Sequence, residues 1–494
     1  MKGAGLTLFG TVVGKGLYLL YTIFLARVLG IDDLGLYFLG LSIVFFLGVI
    51  GNMGLNAATV RFTAIYNADE GRQKLKGITI AAPALSFLFG MTLVVLVFVL
   101  GDATAEGIFH KPALGSILKI FALSIPFECA MRVLLGSTQG LKLMGYTAFT
   151  ENVLWVAARF VFTVIFLYGF GMKVEGAAWG YTVSSVISAG AALYFANRHI
   201  PLFDRKDLPV FEYKKILKFS FAMVFSDTVY NLLGQADVLI LGLFTTSANI
   251  GIYSVALRVV VMAQIVFNIF VPVFNPFISE LYDRNNLAKL SKLLKVITRW
   301  NVMVSFPIFM SIICFPGVFL RIFGGEFLKA TSCLLVLVLA RILSAPSILP
   351  NSMLAMSGKP ELQLANNIVI LVLTVVLNYA LVPRYGILGA AIATGISLVG
   401  VTAMRIVEVY RLMKIHPFAY SLVKPVICGL VAFLVSYGLQ RFVGSDNYGI
   451  NLGMLAIFYI IYAVGIWSMK FSEEDIYLKN LVRNKITSVG RVFF

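Results

Sequence analysis

Charged side chains are scarce in this chain of 494 residues, since Asp, Glu, Lys and Arg together make up 13% of it. Histidine occurs only at His110, His199 and His416, which fall far apart in loops and argue against a histidine metal cluster. The four cysteines form no Cys-x-x-Cys pair and fall in apolar segments, where a buried free thiol is the ordinary state. The sequence therefore predicts no metal site and no cofactor.

Catalytic motifs are missing as well. The stretch GTVVGKG at 10–16 resembles a phosphate-binding loop only faintly, because Phe9 stands where its first glycine is required and Gly16 where Ser or Thr is required. The longest predicted loops, near 197–215 and 279–295, are short and basic. We therefore predict that the chain is not an enzyme. A membrane-embedded polymerase or ligase is an alternative that would need a catalytic loop outside the membrane.

Long apolar runs are abundant. Hydrophobic residues make up 60% of the chain, and a helix crosses the bilayer core with about 20 apolar residues. We predict an all-α, polytopic membrane protein with about fourteen transmembrane helices. The predicted segments are 5–29, 35–60, 78–101, 113–136, 148–168, 176–196, 216–244, 251–274, 296–319, 329–350, 364–382, 386–410, 421–441 and 450–469.

The basic residues predict the orientation of these segments. With alternating loops, the side that holds both termini carries 27 of the 40 Lys and Arg residues, the other side carries 8, and 5 lie within segments. Because basic residues stay in the cytoplasm during insertion, we predict a multi-pass protein of the cell membrane with both termini cytoplasmic. The net charge of +17 then reflects topology signals that face anionic lipid, and we predict no nucleic-acid partner.

An internal repeat divides the chain. Gly-Leu-Tyr at 35–37 and Gly-Ile-Tyr at 251–253 lie 216 residues apart, and the same offset relates Tyr66 to Tyr282. Each unit of the repeat holds six segments, an even number, so we predict parallel repeats, a plan that secondary transporters use.

The repeat predicts the domain boundaries. An N-terminal six-helix bundle occupies 1–200, and its repeat forms a C-terminal six-helix bundle at 201–415. Two extra transmembrane helices and a cytoplasmic tail follow at 416–494.

Two stretches carry a resemblance to a known family. The first is Ala26-Arg27-Val28-Leu29-Gly30 with Gly35, Gly54-Leu55 and Arg61, and the second is MLAMSGKPELQLANN…NYALVPRYGILGAAIAT at 353–394. They resemble the polysaccharide-transporter family of the multidrug/oligosaccharidyl-lipid/polysaccharide exporter superfamily. The resemblance implies a flippase that moves a lipid-diphosphate-linked oligosaccharide from the cytoplasmic to the outer leaflet by alternating access. Alternatives are a multidrug and toxin extrusion-type antiporter and a lipid II flippase.

The resemblance also implies a central cavity lined by the first, second, seventh and eighth segments. An ionisable group in mid-bilayer costs several kcal/mol and normally faces a cavity or a partner. Lys15 lies midway along the first segment, and the repeat places Asn231 at the corresponding position of the seventh. Lys15 is therefore predicted to attract an anion such as a diphosphate, with Asp227 as an alternative ion-pair partner.

Three further charges remain open between two roles, and two more are predicted to pair. Asp237 and Arg258 each lie about 10 Å inside the ends of adjacent segments, so they can form an ion pair or contact substrate. Arg61 lies at the cytoplasmic mouth and either captures substrate or anchors its helix. Glu128 and Arg132, four residues apart on one helix face, are predicted to form a structural ion pair.

The candidate cavity residues are Lys15, Arg61, Asp227, Asn231, Asp237 and Arg258. No catalytic residue and no metal ligand is predicted, and a coupling ion of unknown identity is left open. The predicted partners are the lipid-linked oligosaccharide, membrane lipid and other polysaccharide-assembly proteins.

The charge asymmetry gives a first testable prediction. A reporter fused after Phe494 should report a cytoplasmic location, because the basic loops fix that side. A matched fusion in the loop near Lys111 should report the outer side. An outer location for the first fusion would show that the number of segments is wrong.

Overall fold

In the computed structural model, the helices follow the apolar segments of the sequence. The structure describes residues 2–68, 71–204, 208–264, 274–275, 277–357, 360–443 and 447–468. These residues form helices and turns and contain no strand. An all-helical chain is expected where lipid replaces water, because each backbone amide must then find its hydrogen bond within its own segment.

Eighteen α-helices are numbered here along the described residues. In the first half they are α1 Lys2–Asn52, α2 Leu55–Ala68, α3 Arg72–Ala103, α4 Ala113–Ala122, α5 Ile125–Gly140, α6 Met144–Thr147, α7 Trp155–Val164, α8 Val174–His199 and α9 Tyr213–Leu233. In the second half they are α10 Ala236–Phe244, α11 Ser247–Ala263, α12 Leu287–Cys314, α13 Pro316–Arg321, α14 Thr331–Ser344, α15 Ile348–Met356, α16 Pro360–Met413, α17 Val423–Val443 and α18 Tyr448–Ser468.

Nine helices among the described residues are long and apolar enough to cross a membrane, and α11 is a shorter apolar helix. The prediction of an all-α polytopic membrane protein is confirmed. The count of fourteen crossings stays a prediction. Part of the eighth predicted segment, 265–273, and the predicted tail after 468 lie outside the described residues.

Two of the helices are each long enough for two crossings and contain one break. α1 has 51 residues, a length of about 77 Å, more than twice the hydrocarbon core. Its backbone turns at Gly30, where φ is 73° and ψ is −178°, and α16 turns in the same way at Gly386, where φ is 56°. Glycine adopts positive φ at little cost, so the chain can turn at each break without a loop. Each break lies where two predicted segments meet.

The chain forms two compact units. The first comprises Met1–Arg258, Ile322–Ala330 and Leu371–Ala393, and the second comprises Val259–Arg321, Thr331–Ile370 and Thr394–Phe494. The candidate cavity residues all belong to the first unit. The predicted boundaries at 200 and 415 follow the sequence repeat and stay a prediction.

Within the first unit, the two glycines that mark the repeat lie against each other's helix. A Cβ atom on Gly35 would overlap the backbone of Ser247 and Gly251, and a Cβ atom on Gly251 would overlap the backbone of Ile31 and Gly35. Only glycine permits such an approach, as at other close helix contacts in membranes. The second half of α1 and the start of α11 therefore touch through their backbones.

Within the second unit, the last two helices pack on α12. The Tyr462 hydroxyl donates a hydrogen bond of 2.7 Å to the carbonyl of Met303, and the hydroxyls of Tyr459 and Ser311 lie 3.0 Å apart. Cys428, Phe458 and Tyr462 belong to the same buried cluster as residues of α12. The two helices predicted beyond the repeat thus form part of this unit's core.

Candidate functional site

Lys15 lies on the first half of α1 and is half-buried. Its ammonium group is partly removed from water, and no charged partner acts on it among the described residues. An ammonium group held in an apolar helix without a carboxylate needs water or an anionic ligand. The position therefore fits the predicted cavity cation.

Arg258, on α11, places a second cation beside α1. Its guanidinium carbon lies 4.6 Å from the ring centre of Phe38 and 5.7 Å from that of Tyr18, distances at which an aromatic face attracts a cation. Lys15 is three residues from Tyr18, so the two side chains share one face of α1 about 4.5 Å apart along its axis. Arg258 therefore lies beside the face of α1 that carries Lys15.

The described contacts of Asp237 do not include Arg258, so of the two roles that the sequence leaves open they do not support the ion pair. The buried carboxylate accepts hydrogen bonds from the Tyr253 hydroxyl at 2.7 Å and from the Asn378 amide nitrogen at 2.9 Å. The depth estimate was sound, but it ignored rotation about the helix. Tyr253 and Arg258 are five residues apart on α11 and point about 140° apart. α10 meets the Tyr253 face, while Arg258 faces α1.

Asp227 and Asn231 lie one turn apart on α9, which packs against α1 and α2. Both are half-buried, and the Asn231 amide donates a hydrogen bond of 2.7 Å to the backbone carbonyl of Asp227. The Asp227 carboxyl group is partly removed from water, and no charged partner acts on it among the residues that the structure describes. The structure thus gives no ion pair between Asp227 and Lys15, although the helices that carry them are neighbours.

Arg61 lies midway along α2 and is exposed. Its guanidinium carbon lies 4.6 Å from the ring centre of Phe219 on α9. The contact joins the two helices at the end that the basic residues predict to be cytoplasmic. Arg61 thus contacts α9 through Phe219, and its place at the cytoplasmic mouth stays a prediction.

A polar cluster stands next to Arg61 and ties α2, α3 and α9 together. Glu212 accepts a hydrogen bond from the Tyr66 hydroxyl and forms an ion pair of 3.0 Å with Lys74. The hydrogen bonds from Tyr66 and Lys74 hold the pKa of the Glu212 carboxyl at about 2. The carboxylate is therefore ionised at physiological pH. Lys215 lies 3.6 Å from it as a second ion-pair partner, and Lys215 and Arg61 are both exposed on the surrounding surface.

Glu128 and Arg132 form the predicted ion pair, which is confirmed at 2.9 Å. The other carboxylate oxygen of Glu128 accepts a hydrogen bond of 2.8 Å from Tyr181. Both groups of this pair are satisfied by α5 and α8, so they support the packing of the first unit.

Arg159 lies on α7, and the sequence did not indicate what surrounds it. It is 5% exposed, and its guanidinium carbon lies 4.4, 5.0 and 5.9 Å from the ring centres of Tyr181, Trp155 and Tyr21. Aromatic rings can replace a carboxylate around a buried guanidinium. Trp155 lies four residues before Arg159 on the same helix, a spacing visible in the sequence. Tyr181 and Tyr21 lie on other helices, and no local spacing connects them to Arg159.

The long apolar helices, two of them broken at a glycine, define a polytopic membrane protein. The chain belongs to the polysaccharide biosynthesis protein family, whose model matches residues 1–282. The resemblance drawn from the sequence motifs is thereby confirmed.

Individual proteins match over most of the chain. The probable low-salt glycan biosynthesis flippase Agl15 of Haloferax volcanii is 24% identical over 456 residues, which cover 90% of this chain and 92% of that protein. The lipid II flippase MurJ in an inward closed conformation superimposes with a TM-score of 0.74 at 17% identity, over 97% of this chain and 99% of MurJ. A multidrug resistance MATE family transporter in an inward-facing conformation gives 0.67 at 16% identity, over 81% and 94%. At these identities the two structural matches show the fold alone.

The hydrogen bonds of Asp237 give a prediction that separates it from Arg258. Asp237→Asn and Tyr253→Phe should not be additive in the free energy of unfolding, with a coupling above about 0.5 kcal/mol, because each removes one side of the same buried contact. The matched pair Asp237→Asn and Arg258→Gln should be additive within about 0.5 kcal/mol. Titration of the purified protein with SDS measures both cycles. A larger coupling with Arg258 than with Tyr253 would restore the ion pair.

Proposed function

We propose that this protein is a flippase that moves a lipid-diphosphate-linked oligosaccharide from the cytoplasmic to the outer leaflet of the cell membrane. The lipid tail stays in the bilayer while the head group crosses beside α1. The family and the similarity to a protein named as a glycan biosynthesis flippase support this proposal.

The observation that carries the proposal is a pair of cations beside one face of α1. Lys15 is on α1 itself, and Arg258 reaches that face from α11. Lys15 has no charged partner among the described residues, and Arg258 is held by the rings of Tyr18 and Phe38 rather than by a carboxylate. Each group keeps its hydrogen-bond donors for an anionic ligand. A diphosphate supplies two adjacent anionic groups of the kind that ammonium and guanidinium donors bind.

A path for the head group follows from the ends of the helices. At one end, Arg61 and Lys215 give an exposed cationic surface that would attract the diphosphate from the cytoplasmic side. At the other end, the backbone contact between Gly35 and Gly251 closes the gap between α1 and α11. We propose that this contact opens when the head group leaves, which is the alternating step of the transport cycle.

The rival functions differ in the charge of the substrate that each would carry. A multidrug and toxin extrusion-type antiporter carries cations, which Lys15 and Arg258 would repel. A lipid II flippase also carries a lipid diphosphate, so it remains the second candidate, and the cations Lys15 and Arg258 suit its substrate equally well.

The remaining parts of the proposal concern setting and energy. Both termini are cytoplasmic, an ion gradient drives the cycle, and the other proteins of polysaccharide assembly supply the substrate. The basic loops, whose distribution follows the positive-inside rule, support the orientation.

Lys15 provides the test. Lys15→Ala should insert and express normally but abolish complementation of glycan export in a flippase-deficient strain, because the ammonium meets the diphosphate. Lys15→Arg should retain part of the export, since the charge persists while its geometry changes. Surface display of the glycan measures both.

The matched control is Lys289→Ala, which removes an exposed ammonium group at the start of α12 and should export normally. Normal export by Lys15→Ala would contradict the cavity-cation proposal and favour the antiporter. Loss of folded Lys15→Ala protein would instead make Lys15 a structural residue.

A further inference from the structure

The first unit contains a cavity of about 680 Å³ at the end of the helices opposite to the Arg61 surface. Four turns line it: the break of α1 near Asp32, residues 109–111 before α4, residues 245–247 between α10 and α11, and the break of α16 at Gly386. Its volume lies within the range of about 300–1,000 Å³ that small-molecule sites occupy. None of the candidate cavity residues lines it, so it is separate from the cationic face of α1.

The cavity wall is fixed by local contacts. The Lys111 ammonium donates hydrogen bonds to the carbonyls of Gly242, at 2.7 Å, and Phe109, at 3.0 Å. It thereby ties the loop before α4 to the C-terminal end of α10, where a cation is favourable. The Thr245 hydroxyl donates to the Leu241 carbonyl at 2.7 Å. These contacts fix two of the four turns that line the cavity.

The polar groups left over face the cavity. Lys111 and Thr245 use their hydrogen bonds in the contacts just given. In the part of the chain that the structure describes, no hydrogen bond is made by the carboxylate of Asp32, the imidazole of His110 or the side-chain amide of Asn249. These three groups come from three places in the fold: the break of α1, the loop before α4 and the first turn of α11. Together they offer donors and acceptors of both kinds around one space.

An aromatic side chain completes the wall. Phe244 is 40% exposed at the cavity, and its ring is held edge-on by Tyr379, with the ring centres 5.3 Å apart. A carboxylate, an amide and an imidazole beside an aromatic face match the chemistry of a sugar, which presents hydroxyl groups at its rim and C–H groups on its face. A lone carboxylate does not suit a divalent cation, which prefers several oxygen ligands.

We propose that this cavity is a saccharide-binding site for the head group on the outer side of the membrane. The inference rests on the proposed function, because the occupant is the oligosaccharide that the flippase carries. It names a second site, distinct from the cationic face that meets the diphosphate.

The position of the site connects it to the closure of the helices. Asp32 and Ser247 line the cavity, and the backbone contact with Gly35 and Gly251 lies within one turn of each. A sugar held between the α1 and α11 turns therefore lies directly above the contact that must open for the head group to leave. Binding there would favour release of the sugar to the outer side.

The test uses the full-length protein in lipid nanodiscs and two soluble probes. One probe is the oligosaccharide that mild acid releases from the host's lipid-linked pool, and the other is inorganic pyrophosphate. Equilibrium dialysis gives the Kd of each. The wild type should bind the oligosaccharide, and Asp32→Asn and Asn249→Ala should each weaken that binding about tenfold, or about 1.4 kcal/mol.

Matched variants make the result specific. Asp33→Asn removes a neighbouring carboxylate that does not line the cavity, and it should change the Kd of the oligosaccharide less than twofold. Lys15→Ala should leave oligosaccharide binding unchanged and weaken pyrophosphate binding. Since Asp32 and His110 are exposed, these variants should fold, and His110→Ala serves as a second cavity variant.

The outcomes separate the two proposals. Absence of oligosaccharide binding to the wild type, or equal binding by the wild type and all cavity variants, overturns the saccharide site. If either of these results is found and the wild type still translocates the lipid-linked glycan in liposomes, the proposed function stands without the saccharide site. If the cavity binds the oligosaccharide and no translocation occurs, the flippase proposal fails and the saccharide site survives.

Discussion

Moving a charge from water into hydrocarbon costs several kcal/mol, and the buried part of this structure depends on how that cost is met. Glu128 meets it with Arg132 and Tyr181, and Asp237 with two neutral hydrogen-bond donors. Arg159 lies among three aromatic rings. Lys15 and Asp227 differ from these groups, since no charged partner acts on either among the described residues. For Lys15, the proposed function supplies that partner as the diphosphate of the substrate.

Backbone contact through glycine is the second constraint. Gly35 and Gly251 occur in matching motifs 216 residues apart, and in the first unit they lie against each other's helices. A packed contact of this kind has discrete arrangements rather than a continuous range, so it suits a cycle with two states. The repeat in the sequence and the proposed movement therefore involve the same residues.

The sequence predicted the helical, polytopic fold and the family because apolar length and motif spacing are local properties. The breaks at Gly30 and Gly386 fall between predicted segments for the same reason. The Asp237 contacts could not be predicted, because depth along a helix is local but rotation about it depends on what packs there. Tyr253 and Asn378 emerged as partners only once three helices were assembled. The aromatic surroundings of Arg159 and the cavity at Asp32 and Asn249 were missed for the same reason, since each combines turns or helices far apart in sequence.

Reconstitution tests the central claim most directly. The purified protein is placed in liposomes that carry the host's lipid-linked oligosaccharide, and a lectin against that glycan is added outside. The account predicts that lectin binding rises beyond the outer-leaflet fraction seen in protein-free liposomes, and that Lys15→Ala liposomes remain at that fraction. Transport of a cationic dye such as ethidium by the wild type, with no change in lectin binding, would contradict it and make the protein a cation antiporter.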